Sequence, residues 1–178
     1  MRTRLHDEQG QGLIELVVAM VVITVAVLAL MAAYDEGFVS LHKSARTNAA
    51  ATLAETQLEL YSSLPYTAVG LDSTKLATAK ASDSTYLSDY NSLSPTGPDV
   101  TISSCGTTAN CLPVQSPNPT GSDGRSYKVE TFIQTVTQNA PSGTTQERMV
   151  TVIVRDPQQS GTPIVYEASA AFDPGPTS

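Results

Sequence analysis

Residues 10–33 read GQGLIELVVAMVVITVAVLALMAA, a short junction of small and polar residues that leads directly into an apolar run. Residues 16–33 of this run carry no charge. An α-helix rises about 1.5 Å per residue, so these residues would span about 27 Å, close to the roughly 30 Å hydrocarbon thickness of a bilayer. The sequence therefore predicts a membrane-spanning helix near the amino terminus.

The glycine in front of the apolar run distinguishes it from an ordinary secretory signal. In such a signal, an apolar core of about 7 to 15 residues is followed by a cleavage site of small residues. Here the apolar run is longer, and Gly10 lies before it. Cleavage after Gly10 would leave the hydrophobic helix on the mature chain.

The junction resembles that of type IV prepilins, a family that includes type IV pilins and the pseudopilins of type II secretion and competence systems. The resemblance lies in Gly10, Gln11 and Glu15 and in the apolar run that follows them. It implies that a prepilin peptidase cleaves after Gly10, methylates the new amino terminus at Gln11, and leaves Glu15 as the fifth residue of the mature chain. Two residues depart from the family pattern, since Gln11 replaces the usual phenylalanine and Gly12 the frequent threonine. We expect these departures to affect the efficiency of methylation more than that of cleavage.

Glu15 lies at the edge of the apolar run, where a lone carboxylate is costly to bring into hydrocarbon unless it is paired. Once the leader has been removed, the α-amine of Gln11 is the nearest candidate cation, either in the same chain or in a neighbour one step along a filament. The resemblance to prepilins implies the neighbour, and with it a role for Glu15 in assembly. The alternative is that Glu15 is solvated among the lipid headgroups and has no specific partner.

The two cysteines, Cys105 and Cys111, enclose a polar, turn-like segment. This spacing predicts a small disulfide loop formed in an oxidising compartment, with two unpaired thiols as the alternative. A metal site is not expected, because no histidine or further cysteine lies nearby to complete a tetrahedral shell.

The orientation of the span is inferred from the predicted disulfide, because the basic residues on its two sides nearly balance. A bridged carboxy-terminal region outside the membrane places the amino terminus in the cytoplasm. We therefore expect a single-pass protein of the cytoplasmic membrane with its carboxy-terminal domain outside, which then enters an extracellular filament.

Charge and composition argue against several classes of function. The net charge is -7, and no cluster of Lys and Arg offers the phosphate contacts that nucleic acid binding needs, so no direct nucleic acid partner is expected. His6 leaves with the leader and His42 lies near the membrane, so the mature chain cannot form a Ser-His-Asp or Cys-His set. We expect no enzymatic activity, no cofactor and no metal.

The helix is predicted to continue past the apolar run to about residue 63, where Pro65 ends it by removing a backbone donor. Residues 1–10 would be the leader, residues 11–36 the transmembrane and assembly half of the helix, and residues 37–64 an amphipathic half. Gln57 is placed among its solvated residues. The predicted apolar stripe of this second half consists of Phe38, Leu41, Ala45, Ala49, Leu53, Leu60 and Leu64.

Residues 65–126 are rich in proline and other turn formers, which predicts a variable region that is mostly loop. Within it we expect a short helical turn at residues 74–81 and a short strand at residues 99–103. Residues 127–178 then form a sheet and a carboxy-terminal tail.

Residues 127–136 alternate with period two, which predicts a strand, and turns near residues 140–143 and 156–162 separate it from strands at residues 148–155 and 164–172. Together these strands form an antiparallel meander with one apolar face, which the amphipathic half of the helix would cover. The predicted class is α+β, with the type IV pilin fold that the resemblance implies.

Two functions from different classes follow. The first is a structural subunit of a type IV pilus or pseudopilus, with prepilin peptidase, membrane lipid, other pilin or pseudopilin subunits and the assembly platform of the cytoplasmic membrane as partners. The second is a membrane-anchored extracellular binding module that does not polymerise. Residues 54–66, AETQLELYSSLPY, resemble the end of the spine helix in minor pilins and minor pseudopilins, which favours a minor subunit.

Overall fold

The computed structural model describes residues 8–93, 97–103, 111–140 and 143–174. A long helix is followed by two short helices and two sheets, which makes a mixed α+β arrangement consistent with the predicted pilin fold. In chain order the elements are α1 (Glu8–Ser62), a 3₁₀ turn (Tyr66–Ala68), β1 (Leu71–Asp72), α2 (Ser73–Ser82), α3 (Ser84–Ser92), β2 (Thr101–Ile102), β3 (Lys128–Ala140), β4 (Gly143–Arg155) and β5 (Ile164–Phe172).

Helix α1 contributes to two compact units, of which the first ends at Ser44 and the second begins at Ala45. In the first unit, residues 12–44 are exposed along their whole length. By length and composition Gly12–Ser62 can cross a membrane, and its most apolar window has a mean hydropathy of 3.0. Thr24 is the one polar residue of the uncharged run, and its hydroxyl donates to the Met20 carbonyl oxygen at 2.8 Å. This polar group is therefore satisfied inside the helix.

The end of α1 confirms the prediction made from Pro65. The helix stops at Ser62, and Pro65 adopts an extended conformation in front of the 3₁₀ turn. The proline ring disfavours helical backbone at the preceding residue, so the chain has to leave the helix before it. The backbone passes through Gly37 as regular helix.

The larger sheet has the order β3-β4-β5 and is antiparallel throughout, which confirms the predicted meander. Strands β3 and β4 pair over their whole lengths, from Lys128 opposite Arg155 to Ala140 opposite Gly143. Strand β4 therefore begins five residues earlier than residue 148, where the sequence placed its start. The smaller sheet pairs β1 and β2 in parallel.

The part of α1 after Ala45 covers one face of the sheet. Tyr61 of the helix and Val152 of the sheet are both completely buried in one shared core. Three alanines and the large Tyr61 side chain form the α1 part of this core. The members of this core from α1, β3 and β4 are Ala49, Ala50, Ala54, Tyr61, Val129, Phe132, Ile133, Val150, Val152, Ile153 and Val154.

The predicted apolar stripe of α1 is correct in its middle and at Leu64, but wrong at its first residues and at Leu60, which is 37% exposed. Ala49 is buried and Leu53 packs against the core, but Phe38 and Leu41 are exposed. Gln57, which was expected to be solvated, is 1% exposed. Its side-chain oxygen accepts a hydrogen bond from the Gln115 amide at 2.5 Å, which satisfies the oxygen, whereas the buried Gln57 Nε2 has no hydrogen-bond partner among the described residues.

Helix α3 covers the other face of β3 and β4, and it is a helix that the sequence analysis did not predict within residues 65–126. The Tyr86 ring stacks on Phe132 with 4.6 Å between the ring centroids, and its hydroxyl donates to the Thr131 carbonyl oxygen at 3.0 Å. The sheet therefore has two covered faces in this region instead of the single one predicted. The helical turn predicted at residues 74–81 is confirmed as part of α2.

Both short helices are started by aspartate caps. The Asp72 side chain accepts hydrogen bonds from the backbone N–H groups of Thr74 and Lys75, and Asp83 does the same for Thr85 and Tyr86. Such caps satisfy amides that would otherwise have no partner at the beginning of a helix. An Asp followed by Ser-Thr occurs at both places in the sequence, so this signal for α3 was available.

Irregular segments pair with the outer edge of β3. Val100 donates its N–H to the Ile133 carbonyl oxygen at 2.9 Å, and Thr135 donates to the Pro98 carbonyl oxygen at 3.0 Å. Further along the strand, Thr131 donates to Pro113 at 2.8 Å. These bonds satisfy a strand edge that would otherwise be open to pairing with another chain.

Gly97 is predicted not to tolerate a side chain. A Cβ atom at this position would lie 1.9 Å from the Thr135 carbonyl oxygen, which is a backbone atom that cannot rotate away. We expect Gly97→Ala to shift the segment off β3 and to lower the free energy of unfolding by about 1 to 3 kcal/mol. Chemical denaturation of the detergent-solubilised chain measures this. The control is Gly37→Ala, where nothing lies within 4 Å of the added atom, and equal stability of the two variants would contradict the prediction.

Candidate processing and assembly site

The junction residues lie in the first turns of α1. The backbone is helical from Glu8 onward and includes Gly10, Gln11 and Glu15. Gln11 and Glu15 are four residues apart, so their backbones are separated by about 6 Å along the helix axis, which is roughly one turn. This spacing places Gln11, which follows the predicted cleavage point, next to Glu15, the predicted assembly residue.

Glu15 is exposed, and no cationic side chain of the described residues lies within ion-pair distance of it. The first Lys or Arg after it in the chain is Lys43, which lies beyond the apolar run. The described part of the chain thus supplies no side-chain cation for this carboxylate.

The apolar side chains that follow Glu15 are uncovered on all sides of the helix. The large ones between Leu13 and Met31 are at least 44% exposed, the lowest value being that of Val27. A continuous apolar surface of this kind has to be covered by lipid or by the helices of other chains. An exposed apolar helix surface thus follows directly after the predicted cleavage point.

Cys111 is 6% exposed, and Cys105 lies outside the described residues. The predicted bridge between them stays a prediction. Among the described residues, no group of three or more His, Cys, Asp or Glu side chains could hold a metal ion.

A buried ionic cluster between α3 and the sheet was missed by the sequence analysis. The Lys128 Nζ lies 2.7 Å from the Asp83 Oδ2 and 2.6 Å from the Glu130 Oε1. Arg155 holds two carboxylates, with its Nε 2.8 Å from the Asp89 Oδ2 and 3.3 Å from the Glu130 Oε2.

The centre of this cluster is almost closed to solvent, since the Glu130 side chain is fully buried and those of Asp89 and Arg155 are 7% and 10% exposed, while Lys128 and Asp83 are 15% and 26% exposed. The sequence did carry a signal for it. Lys128 and Glu130 share one face of their strand with the apolar Phe132, and charges on such a face require partners from a covering element. Asp83 caps the start of α3, and Asp89 lies within the helix. Because both are paired with basic side chains of the sheet, the cluster holds α3 on the sheet.

The cluster makes the stability of this unit depend on pH. Burial raises the pKa of Glu130 to about 7, with Lys128 opposing the shift and Asp89 adding to it. Burial also acts to raise the pKa of Asp83, but hydrogen bonds from Lys128 and from the Tyr86 N–H hold it below its ordinary value. The contribution of Asp83 therefore changes only in more acidic solution than that of Glu130.

We expect the free energy of unfolding to fall as the pH rises from 4.5, the ordinary pKa of a glutamate, to about 7. The folded state binds the Glu130 proton more tightly than the unfolded state, so this stabilisation is complete below the lower value and is lost as the pH passes the upper one. The loss should be of order 3 kcal/mol. Urea denaturation at a series of pH values measures it, and a Glu130→Gln variant should show a flatter profile. Identical profiles for the two proteins would contradict the assignment.

Comparison with family models matched residues 5–31 to the prokaryotic N-terminal methylation motif. The matched residues include the junction, Glu15 and most of the apolar run. No curated protein and no solved structure matched the chain. Proteins that carry this motif are structural rather than catalytic, and the motif implies processing by prepilin peptidase and assembly with other pilins. The chain thus carries the prepilin-type cleavage and methylation signature in front of a mixed α+β fold, as a pilin-like or pseudopilin-like secreted subunit does.

Proposed function

We propose that this protein is a structural, minor subunit of a type IV pilus or of a type II secretion-like pseudopilus. One observation carries the proposal. The motif at residues 5–31 contains an apolar helix whose surface is not covered by the described part of the chain. Before assembly, the span would hold the chain in the cytoplasmic membrane with its amino terminus in the cytoplasm and its carboxy-terminal domain outside.

Processing in this proposal begins when prepilin peptidase cuts after Gly10 and methylates Gln11. The mature chain then moves from lipid into a bundle formed by the helices of other pilin or pseudopilin subunits, at an assembly platform in the membrane. Lipid tails and apolar side chains are similar surroundings, so hydrophobicity alone does not favour the transfer. Close packing and the ion pair between Glu15 and the amino terminus of a neighbour would favour it.

The carboxy-terminal domain would form the outer surface of the filament. A disulfide between Cys105 and Cys111 would close the segment that precedes β3 in an oxidising compartment. The minor role is supported by the resemblance of residues 54–66 to the end of the spine in minor pilins, a segment in which α1 stops at Ser62 before Pro65.

The experiment that tests the proposal is the intact mass and amino-terminal sequence of the chain co-expressed with its prepilin peptidase. A species that begins at Gln11 supports the proposal. A species that keeps residues 1–10 favours the membrane-anchored binding module, and a species cut beyond residue 32 indicates a conventional secreted protein. For the minor role, the ratio of this subunit to the most abundant subunit in purified filaments is measured, and near-equal amounts would contradict it.

A further inference from the structure

The proposed processing leaves glutamine as the first residue of the mature chain, and a terminal glutamine has a reaction of its own. We propose that Gln11, once cleavage after Gly10 has freed its α-amine, cyclises to pyroglutamate and thereby loses the cation available to Glu15. This inference rests on the proposed function, because the amine exists only after the leader has been cut.

The reaction needs only the atoms of Gln11. The unprotonated α-nitrogen attacks the side-chain Cδ, the N–Cδ bond forms, and the Cδ–Nε2 bond breaks. The departing Nε2 takes up a proton and leaves as ammonia, and the α-nitrogen becomes the amide nitrogen of a five-membered lactam. No atom is oxidised or reduced, and the product is lighter than the open chain by one molecule of ammonia. Phenylalanine, the usual residue at this position in prepilins, has no carboxamide and cannot react in this way.

The helical backbone at this position is compatible with the ring. Helix α1 extends from Glu8 to Ser62, so cleavage after Gly10 makes Gln11 the first residue of the mature helix. The first N–H groups of a helix have no partner inside it, and a ring that restricts φ is accepted at the first position, as proline shows. The next residue is Gly12, and nothing lies within 4 Å of where a side chain would begin there.

Ring closure would change the charge at the assembly site. A lactam nitrogen is not basic, so it neither carries a positive charge nor accepts a methyl group from the peptidase. A methylated amine, in contrast, stays basic. Glu15 lies one turn further along α1, is exposed, and has no cationic side chain of the described residues within ion-pair distance. A filament step that involves a cyclised terminus would therefore bring an unpaired carboxylate into apolar surroundings, which is unfavourable.

Two pools of mature chain follow from this chemistry. Chains with a free or methylated amine keep the charge that pairs with Glu15, and they should enter filaments. Cyclised chains should accumulate in the membrane and be depleted in filaments by at least about tenfold, since this ratio corresponds to only 1.4 kcal/mol. The departure of Gln11 from the usual phenylalanine would thus limit the fraction of mature chain that can assemble.

The test uses the full chain co-expressed with its prepilin peptidase, with membranes and filaments separated and acidified at harvest to stop further cyclisation. Intact mass and amino-terminal sequencing are recorded before and after treatment with pyroglutamyl aminopeptidase. We expect the membrane fraction to contain chains that begin at residue 11, lack one ammonia, are blocked to sequencing, and become sequenceable after treatment. The matched control is Gln11→Phe, which should be cleaved and should show no loss of ammonia.

The outcomes separate this inference from the proposed function. Chains that begin at Gln11 with only free or methylated amines in both fractions would overturn the inference and leave the processing intact. Cyclised chains that are equally abundant in filaments and membranes would overturn the charge argument. Chains that keep residues 1–10 would overturn the proposed function, and the inference with it.

Discussion

Replacement of Glu15 by alanine is expected to lower incorporation into filaments at least about tenfold, while membrane insertion and cleavage after Gly10 continue. The apolar run that inserts is unchanged, and the cleavage point lies outside the substitution. What disappears is the carboxylate that would neutralise an incoming amino terminus. An amine without that partner is costly to place among apolar helices, so assembly is the step that should fail.

The measurement is the ratio of mature subunit in purified filaments to mature subunit in membranes. Glu15→Gln keeps the shape of the side chain without its charge and should be nearly as defective as Glu15→Ala. The matched control is Glu59→Ala, which removes an exposed acid from the second unit of the same helix and should assemble normally. Normal incorporation of Glu15→Ala would contradict the proposed ion pair between Glu15 and the amino terminus of a neighbouring subunit.

Replacement of Arg155 by methionine is expected to lower the free energy of unfolding by about 3 to 5 kcal/mol. The guanidinium group holds both oxygens of the Asp89 carboxylate and also contacts Glu130. It further donates to the Thr162 carbonyl oxygen at 2.6 Å, which ties the turn before β5 to the same group. Methionine keeps much of the volume but leaves two buried acids with only Lys128 as a cation nearby, so α3 should separate from the sheet first.

Thermal or urea unfolding of the detergent-solubilised chain measures this loss, at a pH well above the Glu130 pKa of about 7 so that this carboxyl is ionised in the unsubstituted protein. The matched control is Arg125→Met, since the Arg125 side chain is 44% exposed and its partner Asp156 keeps a second ion pair with Arg46 at 3.3 Å. We expect the control to cost less than about 1 kcal/mol. Adding Glu130→Gln to Arg155→Met should recover part of the stability, because it removes one of the stranded charges. No recovery, together with a small loss for Arg155→Met alone, would show that the cluster does not hold α3.

Local sequence signals were sufficient for the first part of the molecule and for the sheet. The junction at Gly10 and the uncharged run behind it predict a membrane-length helix without reference to any other residue, because helix rise and bilayer thickness are fixed quantities. The alternation that begins at residue 127 predicts strands because side chains of a strand point to opposite faces in turn. Pro65 ends the helix through its own ring geometry. Each of these signals acts over a few neighbouring residues.

The tertiary structure alone decided which face of α1 is buried in the second unit and what covers the far side of the sheet. Gln57 is 1% exposed, and Gln115 supplies its hydrogen-bond partner from a distant part of the chain. Helix α3 has few apolar residues, so periodicity did not reveal it, and it is held by Asp89 through Arg155, 66 residues away. Contacts between groups so far apart in sequence depend on how the elements pack, and no local pattern contains that information.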